Sequence, residues 1–132
     1  MPRAQWPLLK GRPVIQLLLT LAQSGQKVTR TLLADTAAGN SQGQFEIILL
    51  QGDCLARGSR LAKTVVLGGA YSGSHPLYLV HVEIPQLSFN GLITAVGVKI
   101  VSPGIDGIAG FRFLNRFSYG NFADPGQFAL EM

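Results

Sequence analysis

Hydrophobic residues occur in short runs separated by glycine, proline and polar turn residues, a pattern typical of β-strands. The runs at 14–21 and 28–34 flank Ser24-Gly25-Gln26 and predict a β-hairpin. The runs at 64–67 and 77–84 flank a glycine-rich tip and predict a second, longer hairpin. Additional strands are predicted at 45–50, 92–101 and 127–132, and a short helix is predicted at 111–117.

Composition supports one all-β domain over residues 1–132. Hydrophobic residues make up 47% and charged residues 14%, with sixteen glycines, which suits a compact β-rich chain with many turns. Cys54 is the single cysteine, so no intrachain disulfide forms, and a small core or surface residue is the expected role. His75 and His81 lack the spacing and partners of a metal site.

The charge distribution bears on partners and location. The net charge is +4, but the basic residues are scattered, which favours a solvated surface over a nucleic-acid site. The longest apolar stretch, 13–22, is too short and too polar to span a membrane. We therefore expect no membrane or nucleic-acid partner and a cytoplasmic location. The alternative is export, because basic residues precede this stretch and residues 20–22 resemble a cleavage site.

Asp35 is the main candidate for chemistry. It follows the apolar run Thr31-Leu32-Leu33-Ala34 and opens the small-residue loop 35–41. A carboxylate at the end of a buried strand is costly unless it is paired or hydrogen-bonded. This placement predicts that Asp35 acts as an acid or a base.

Three sequence landmarks carry a family resemblance. Leu-Leu-Ala-Asp-Thr-Ala-Ala at 32–38 resembles the active-site signature of the retropepsin-like aspartic proteases. Residues 106–117, Asp-Gly-Ile-Ala-Gly followed by Phe-Arg-Phe-Leu-Asn-Arg-Phe, resemble the second signature and short helix of that family, and residues 68–73 resemble its flap. The resemblance extends from Arg12 to the C-terminus and implies a closed β-barrel with a flap hairpin and one short C-terminal helix.

The resemblance also implies an activity. Hydrolysis of a peptide bond by water needs one carboxylate to accept a proton and a second to polarise the carbonyl. None of the other six acidic residues begins a second Asp-Thr/Ser-Gly/Ala sequence. In single-lobe members of the family the second carboxylate comes from a partner in a C2 homodimer. The chain is therefore expected to be an aspartic endopeptidase acting on extended peptides or unfolded proteins, with no cofactor and no metal.

The family motif assigns further roles to residues of this chain. Thr36 is expected to bond across the dimer axis, Ala37 and Ala38 to line the cleft floor, and Ser41 to support the loop. Asp106 is expected to be structural, either capping the helix at 111–117 or fixing the loop beside the active-site strand. The remaining implied residues are Gly68, Gly69, Tyr71 and Gly73 in the flap and Ile108, Ala109 and Gly110 in the second signature.

Ala37 is the main departure, because the family has glycine at this position. A methyl group would crowd a loop that must approach both the second aspartate and the substrate. The first alternative is therefore a catalytically inactive, dimeric peptide- or protein-binding module. The second alternative is a small basic β-barrel that binds nucleic acid.

Overall fold

A computed structural model describes residues 2–20, 24–39 and 43–132, except for the side chain at position 57. Ten strands and two short α-helices follow one another in the described residues. They are β1 (Arg3–Pro7), β2 (Val14–Thr20), β3 (Lys27–Ala34), β4 (Ile47–Leu50), α1 (Gln51–Arg57), β5 (Gly58–Leu67), β6 (Gly73–Ile84), β7 (Phe89–Val98), β8 (Gly107–Ala109), α2 (Phe111–Leu114), β9 (Ser118–Gly120) and β10 (Gln127–Glu131).

Six of these strands form a closed barrel, which confirms the expected barrel architecture. Their order around the ring is β2-β3-β8-β4-β7-β6, and β2 pairs with β6 to close it, with Leu18 opposite Glu83. β5 extends the sheet beyond β6 and is an edge strand. Closure leaves the six barrel strands with no free edge of their own.

Both predicted hairpins are present. β2 and β3 pair antiparallel along seven positions, from Val14–Leu33 to Thr20–Lys27, and so deliver Asp35 at the end of β3. β5 and β6 also pair antiparallel, with the tip at residues 68–72 and a register shift between Arg60 and Thr64. A shift of this kind twists an edge strand and leaves its extra residues unpaired.

β8 is the shortest barrel strand and has the tightest surroundings. It runs parallel to β3 and antiparallel to β4, so it fills the gap between them. A Cβ atom on Gly107 would lie 2.1 Å from the Ile48 carbonyl oxygen, a distance that no side chain tolerates. Glycine is therefore required here for close approach of the two main chains.

The chain ends form a separate three-stranded sheet of order β1-β10-β9. Trp6 lies opposite Phe128 in this sheet, and both side chains are buried in the main apolar cluster. Arg3 forms an ion pair with Glu131 across the same two strands. The sequence patterns predicted only β10 of these strands.

Helix α1 begins directly after the strand predicted at 45–50, in residues for which the sequence predicted no helix. Its N-cap, Leu50, provides no side-chain hydrogen bond, so local capping does not account for the helix. Two tertiary interactions stabilise the helix instead. Asp53 binds the Arg30 guanidinium of β3 through two hydrogen bonds of 2.9 and 3.0 Å, and Cys54 is completely buried. Burial, together with the charge of Asp53, raises the pKa of the Cys54 thiol to about 12.

The C-terminal helix is shorter than the sequence predicted, because α2 ends at Leu114 and residues 115–117 continue as a turn. Phe113 and Phe117 nevertheless pack together with a ring separation of 5.5 Å, and both are buried. In the described part of the chain, no helix has the length and hydrophobicity that crossing a membrane requires.

Replacing Gly107 with alanine tests the close approach at β8. We expect Gly107→Ala to lower the free energy of unfolding by about 3 kcal/mol or more, because the added methyl forces β4 and β8 apart. Gly52→Ala is the control, since a Cβ there meets nothing within 4 Å and alanine favours a helix. Urea unfolding of both variants provides the measurement. Equal stability of the two variants would contradict the packing at Gly107.

Candidate functional site

Asp35 lies directly after β3, in a turn that fixes its main chain and its carboxylate. Its amide N–H donates to the Ala109 carbonyl of β8 at 3.0 Å, and its own carbonyl accepts from Ala38 at 3.1 Å. Carboxylate oxygen Oδ1 accepts a 2.9 Å hydrogen bond from the Ala37 amide. The side chain is half-buried, so one side of the carboxylate is held by the turn while the group remains accessible.

The main chain of the second sequence landmark, at residues 110 and 111, is hydrogen-bonded to this turn and to the residue before β4. The amide of Phe111 donates to the Ala38 carbonyl at 2.8 Å, and the amide of Gly110 donates to the Glu46 carbonyl at 2.9 Å. A Cβ atom on Gly110 would lie 2.7 Å from the Ala38 oxygen, so glycine is needed here as well. The loop after β3 and the segment that begins α2 are therefore in direct contact.

A cleft of about 860 Å³ opens in front of Asp35. Its lining comes from Asp35 and residues 37–39 and 43–45 and from residues 64–71 of the β5–β6 hairpin. Ile48 and Ile108 contribute apolar surface to it. The aspartate loop and the glycine-rich hairpin tip, about thirty residues apart in sequence, therefore line the same cleft.

The hairpin tip has the backbone conformation that its glycines allow. Gly69 and Gly73 have φ values of +66° and +125°, which side chains other than glycine rarely adopt. Tyr71 is half-buried against the apolar cluster that includes Ile108, and its carbonyl contacts His75 Nε2 at 2.7 Å. Gly68, Gly69 and Tyr71 line the cleft, whereas Gly73 does not.

The residues next to Asp35 differ in their exposure. Thr36 and Ala37 are exposed, and the Thr36 hydroxyl forms no hydrogen bond to any described residue. Ala37 and Ala38 line the cleft. Ser41, expected to support the loop, lies outside the described residues, as do Leu21 and Ala22 of the cleavage-like sequence.

Asp106 is not among the residues that line the cleft. Its carboxylate accepts a 2.9 Å hydrogen bond from the Thr31 amide, and its own amide donates to the Thr31 carbonyl at 2.8 Å. Helix α2 instead begins after Gly110, which offers no side-chain cap. Of the two roles considered for Asp106, these contacts match the fixing of a loop beside β3.

Sequence analysis missed one ion pair that supports the site. Glu46, which precedes β4, binds Arg116 through two hydrogen bonds of 2.7 Å each. The Glu46 carboxylate is buried, and its hydrogen bonds raise the pKa of the Arg116 guanidinium. No motif marks this pair, because its members lie seventy positions apart and meet only through the fold.

Asp35 is the only acidic side chain among the residues that line the cleft. The other six acidic residues are all described and bind elsewhere. Glu46, Asp53, Glu83 and Glu131 form ion pairs with Arg116, Arg30, Lys27 and Arg3, while Asp106 and Asp124 accept backbone hydrogen bonds. Within the described ranges, no group of three or more histidine, cysteine, aspartate or glutamate residues is placed to hold a metal ion.

Comparison of this chain with models of protein families, with curated proteins and with solved structures finds no match. Any assignment of function therefore depends on the residues and geometry described above.

Removal of Arg116 tests the ion pair behind the site. We expect Arg116→Ala to lower the free energy of unfolding by about 2–3 kcal/mol, because the Glu46 carboxylate, only 5% exposed, loses its partner. Arg3→Ala is the matched control, since Glu131 is more exposed and such a pair contributes about 1 kcal/mol or less. Chemical denaturation of both variants measures the difference. A smaller loss for Arg116→Ala than for Arg3→Ala would contradict a supporting role for the Glu46 pair.

Proposed function

We propose that this protein is a retropepsin-like aspartic endopeptidase whose active site forms between two identical copies of the chain. One observation carries the proposal: Asp35 lines an open cleft together with a glycine-rich hairpin tip, and no other acidic residue lines that cleft. The ordered sequence landmarks support the same assignment.

The chemistry requires a second carboxylate. One aspartate must accept a proton from water while the other, protonated, donates a hydrogen bond to the carbonyl of the scissile bond. Two carboxylates a few ångströms apart share one proton, because both cannot ionise at that distance. Since the cleft of one chain offers Asp35 alone, the partner must supply its own Asp35 across a two-fold axis.

The surroundings of Asp35 suit such an assembly. Thr36 and Ala37 are exposed beside it, which leaves this part of the loop available to a second copy. The free Thr36 hydroxyl would bond the partner's loop and hold both carboxylates in register, as the resembled family implies. The contacts of Ala109 and Phe111 with the loop would then maintain the geometry of each half-site.

The cleft suits an extended peptide better than a compact ligand. It is open, it is lined by both a loop and a hairpin, and apolar side chains such as Ile48, Val65 and Ile108 contribute to its lining. A peptide bound as an added strand would bond the main chains of both walls and place alternate side chains in pockets. The tip at residues 68–72 would act as the flap, closing over the peptide and excluding water.

Asparagine at position 35 tests the catalytic assignment. Asp35→Asn keeps the shape of the side chain and its bond from Ala37, but it removes the proton-accepting oxygen, so we expect cleavage of unfolded protein at mildly acidic pH to disappear. Asp124→Asn, in an exposed turn far along the chain, is the control and is expected to retain activity. Sedimentation of the Asp35→Asn variant should still report a dimer. Undiminished cleavage by this variant would exclude Asp35 as the catalytic residue.

The second candidate function is an inactive dimeric module that binds peptides or proteins, and Ala37 favours it. The Ala37 amide bonds the Asp35 carboxylate, so a methyl group stands at the point where the two chains and the substrate would converge.

Replacing Ala37 with glycine separates the two candidates. For an active protease, Ala37→Gly is expected to change the rate of peptide cleavage only modestly, and a pepstatin-like inhibitor should abolish cleavage by both forms. If activity appears only with glycine at this position, the natural protein is a binding module. Peptide hydrolysis by both proteins, with and without the inhibitor, is the measurement.

A further inference from the structure

A second groove adjoins the cleft of Asp35 and is basic. It has a volume of about 620 Å³, and Gly43 and Gln44 line both spaces, so the two are adjacent. Lys63 of β5 and Arg112 of α2 supply the charged side chains of this basic groove, and Leu61 and Leu77 supply apolar surface. A peptide that leaves the cleft past Gly43 and Gln44 would therefore approach two cations.

The two cations have no acidic partner. All seven acidic residues of the chain are described, and none of them lines the basic groove. Six bind elsewhere, and the seventh is Asp35 itself. Lys63 forms no ion pair with a described residue. Arg112 uses Nη1 to donate a 2.6 Å hydrogen bond to the Gly43 carbonyl, which leaves most of its N–H donors available.

The geometry around the two cations favours a ligand from outside. Lys63 lies in the segment between Arg60 and Thr64 where the pairing of β5 with β6 shifts, so its main chain is not fully used by the sheet. The Arg112 guanidinium is half-buried and positioned by its bond to Gly43. A carboxylate in this groove would accept hydrogen bonds from Lys63 and from the free N–H groups of Arg112.

We infer that the basic groove is a specificity subsite that binds a glutamate or aspartate side chain of the peptide substrate. The inference rests on the proposed endopeptidase function and adds to it the kind of peptide that is preferred: apolar next to the scissile bond and acidic further along. In a C2 dimer each end of the cleft carries one such groove. Acidic residues are therefore favoured on both sides of the scissile bond.

The test uses an extended apolar peptide in which a single glutamate is moved along the sequence, together with a matched set carrying glutamine. We expect glutamate to raise kcat/KM about three- to tenfold at one position on each side of the scissile bond, since each partly exposed ion pair contributes modestly. The preference should shrink towards one in 1 M salt, where charges are screened within about 3 Å.

Three variants assign the effect to the groove. Lys63→Gln and Arg112→Gln are each expected to reduce the ratio of glutamate to glutamine cleavage, and the double variant to bring it close to one. Lys99→Gln removes the same charge from an exposed position that lines neither space, and it should keep the ratio. The ratio of glutamate to glutamine cleavage is measured within each variant. A general loss of activity in Arg112→Gln would lower both rates and leave this ratio unchanged.

A binding measurement separates this inference from the proposed function. Fluorescence polarisation with the Asp35→Asn variant compares the affinities of the glutamate and glutamine peptides without cleavage. Tighter binding of the glutamate peptide, lost in Asp35→Asn with Lys63→Gln, supports the subsite even if the natural protein cleaves nothing. Cleavage with equal rates for both peptide sets overturns the subsite and leaves the protease function standing. Absence of both binding and cleavage overturns the two together.

Discussion

The insertion of three residues, Gly107–Ala109, between β3 and β4 is the constraint on which the rest of the structure depends. Without this strand the barrel would be open, because β3 and β4 do not pair with each other. The same strand supplies the Ala109 carbonyl that fixes the main chain of Asp35, and Asp106 ties its start to Thr31. Gly107 makes the insertion possible, since any side chain there would meet the main chain of Ile48. Barrel closure and the position of the aspartate are therefore consequences of one close approach.

Charge in this protein is distributed so that the cleft differs from the rest of the surface. Four carboxylates are neutralised by neighbouring arginine or lysine side chains, and two more are held by backbone amides. Asp35 is left as the acid of the cleft, while Lys63 and Arg112 remain unpaired beside it. Lys63 and Arg112 are two of eleven basic residues, so the basic groove is a local feature and does not by itself account for the net charge of +4.

The sequence predicted the parts of the fold that are determined by local signals. Alternating or continuous apolar runs bounded by glycine identified β2, β3, β6 and β7, and aromatic spacing identified α2, because such patterns report which face is buried. The strands β1, β8 and β9 were missed, since each is short; β1 and β8 in addition pair only with strands distant in sequence. Helix α1 was missed because Asp53 and Arg30 stabilise it through tertiary contact. For the site, a motif placed Asp35 and the hairpin tip together, but the Glu46 pair and the basic groove arise only in three dimensions.

The position of β8 in the sequence also determines when, during synthesis of the chain, the barrel can close. Thr31 and Asp106, which meet at the start of that strand, lie 75 positions apart, so the barrel cannot close on a ribosome until most of the chain has emerged. Until then the β2–β3 hairpin carries the aspartate without the carbonyl that orients it. A nascent or truncated chain that lacks residues 107–111 would keep the acidic side chain but not its geometry, which delays any chemistry of the cleft until synthesis is nearly finished.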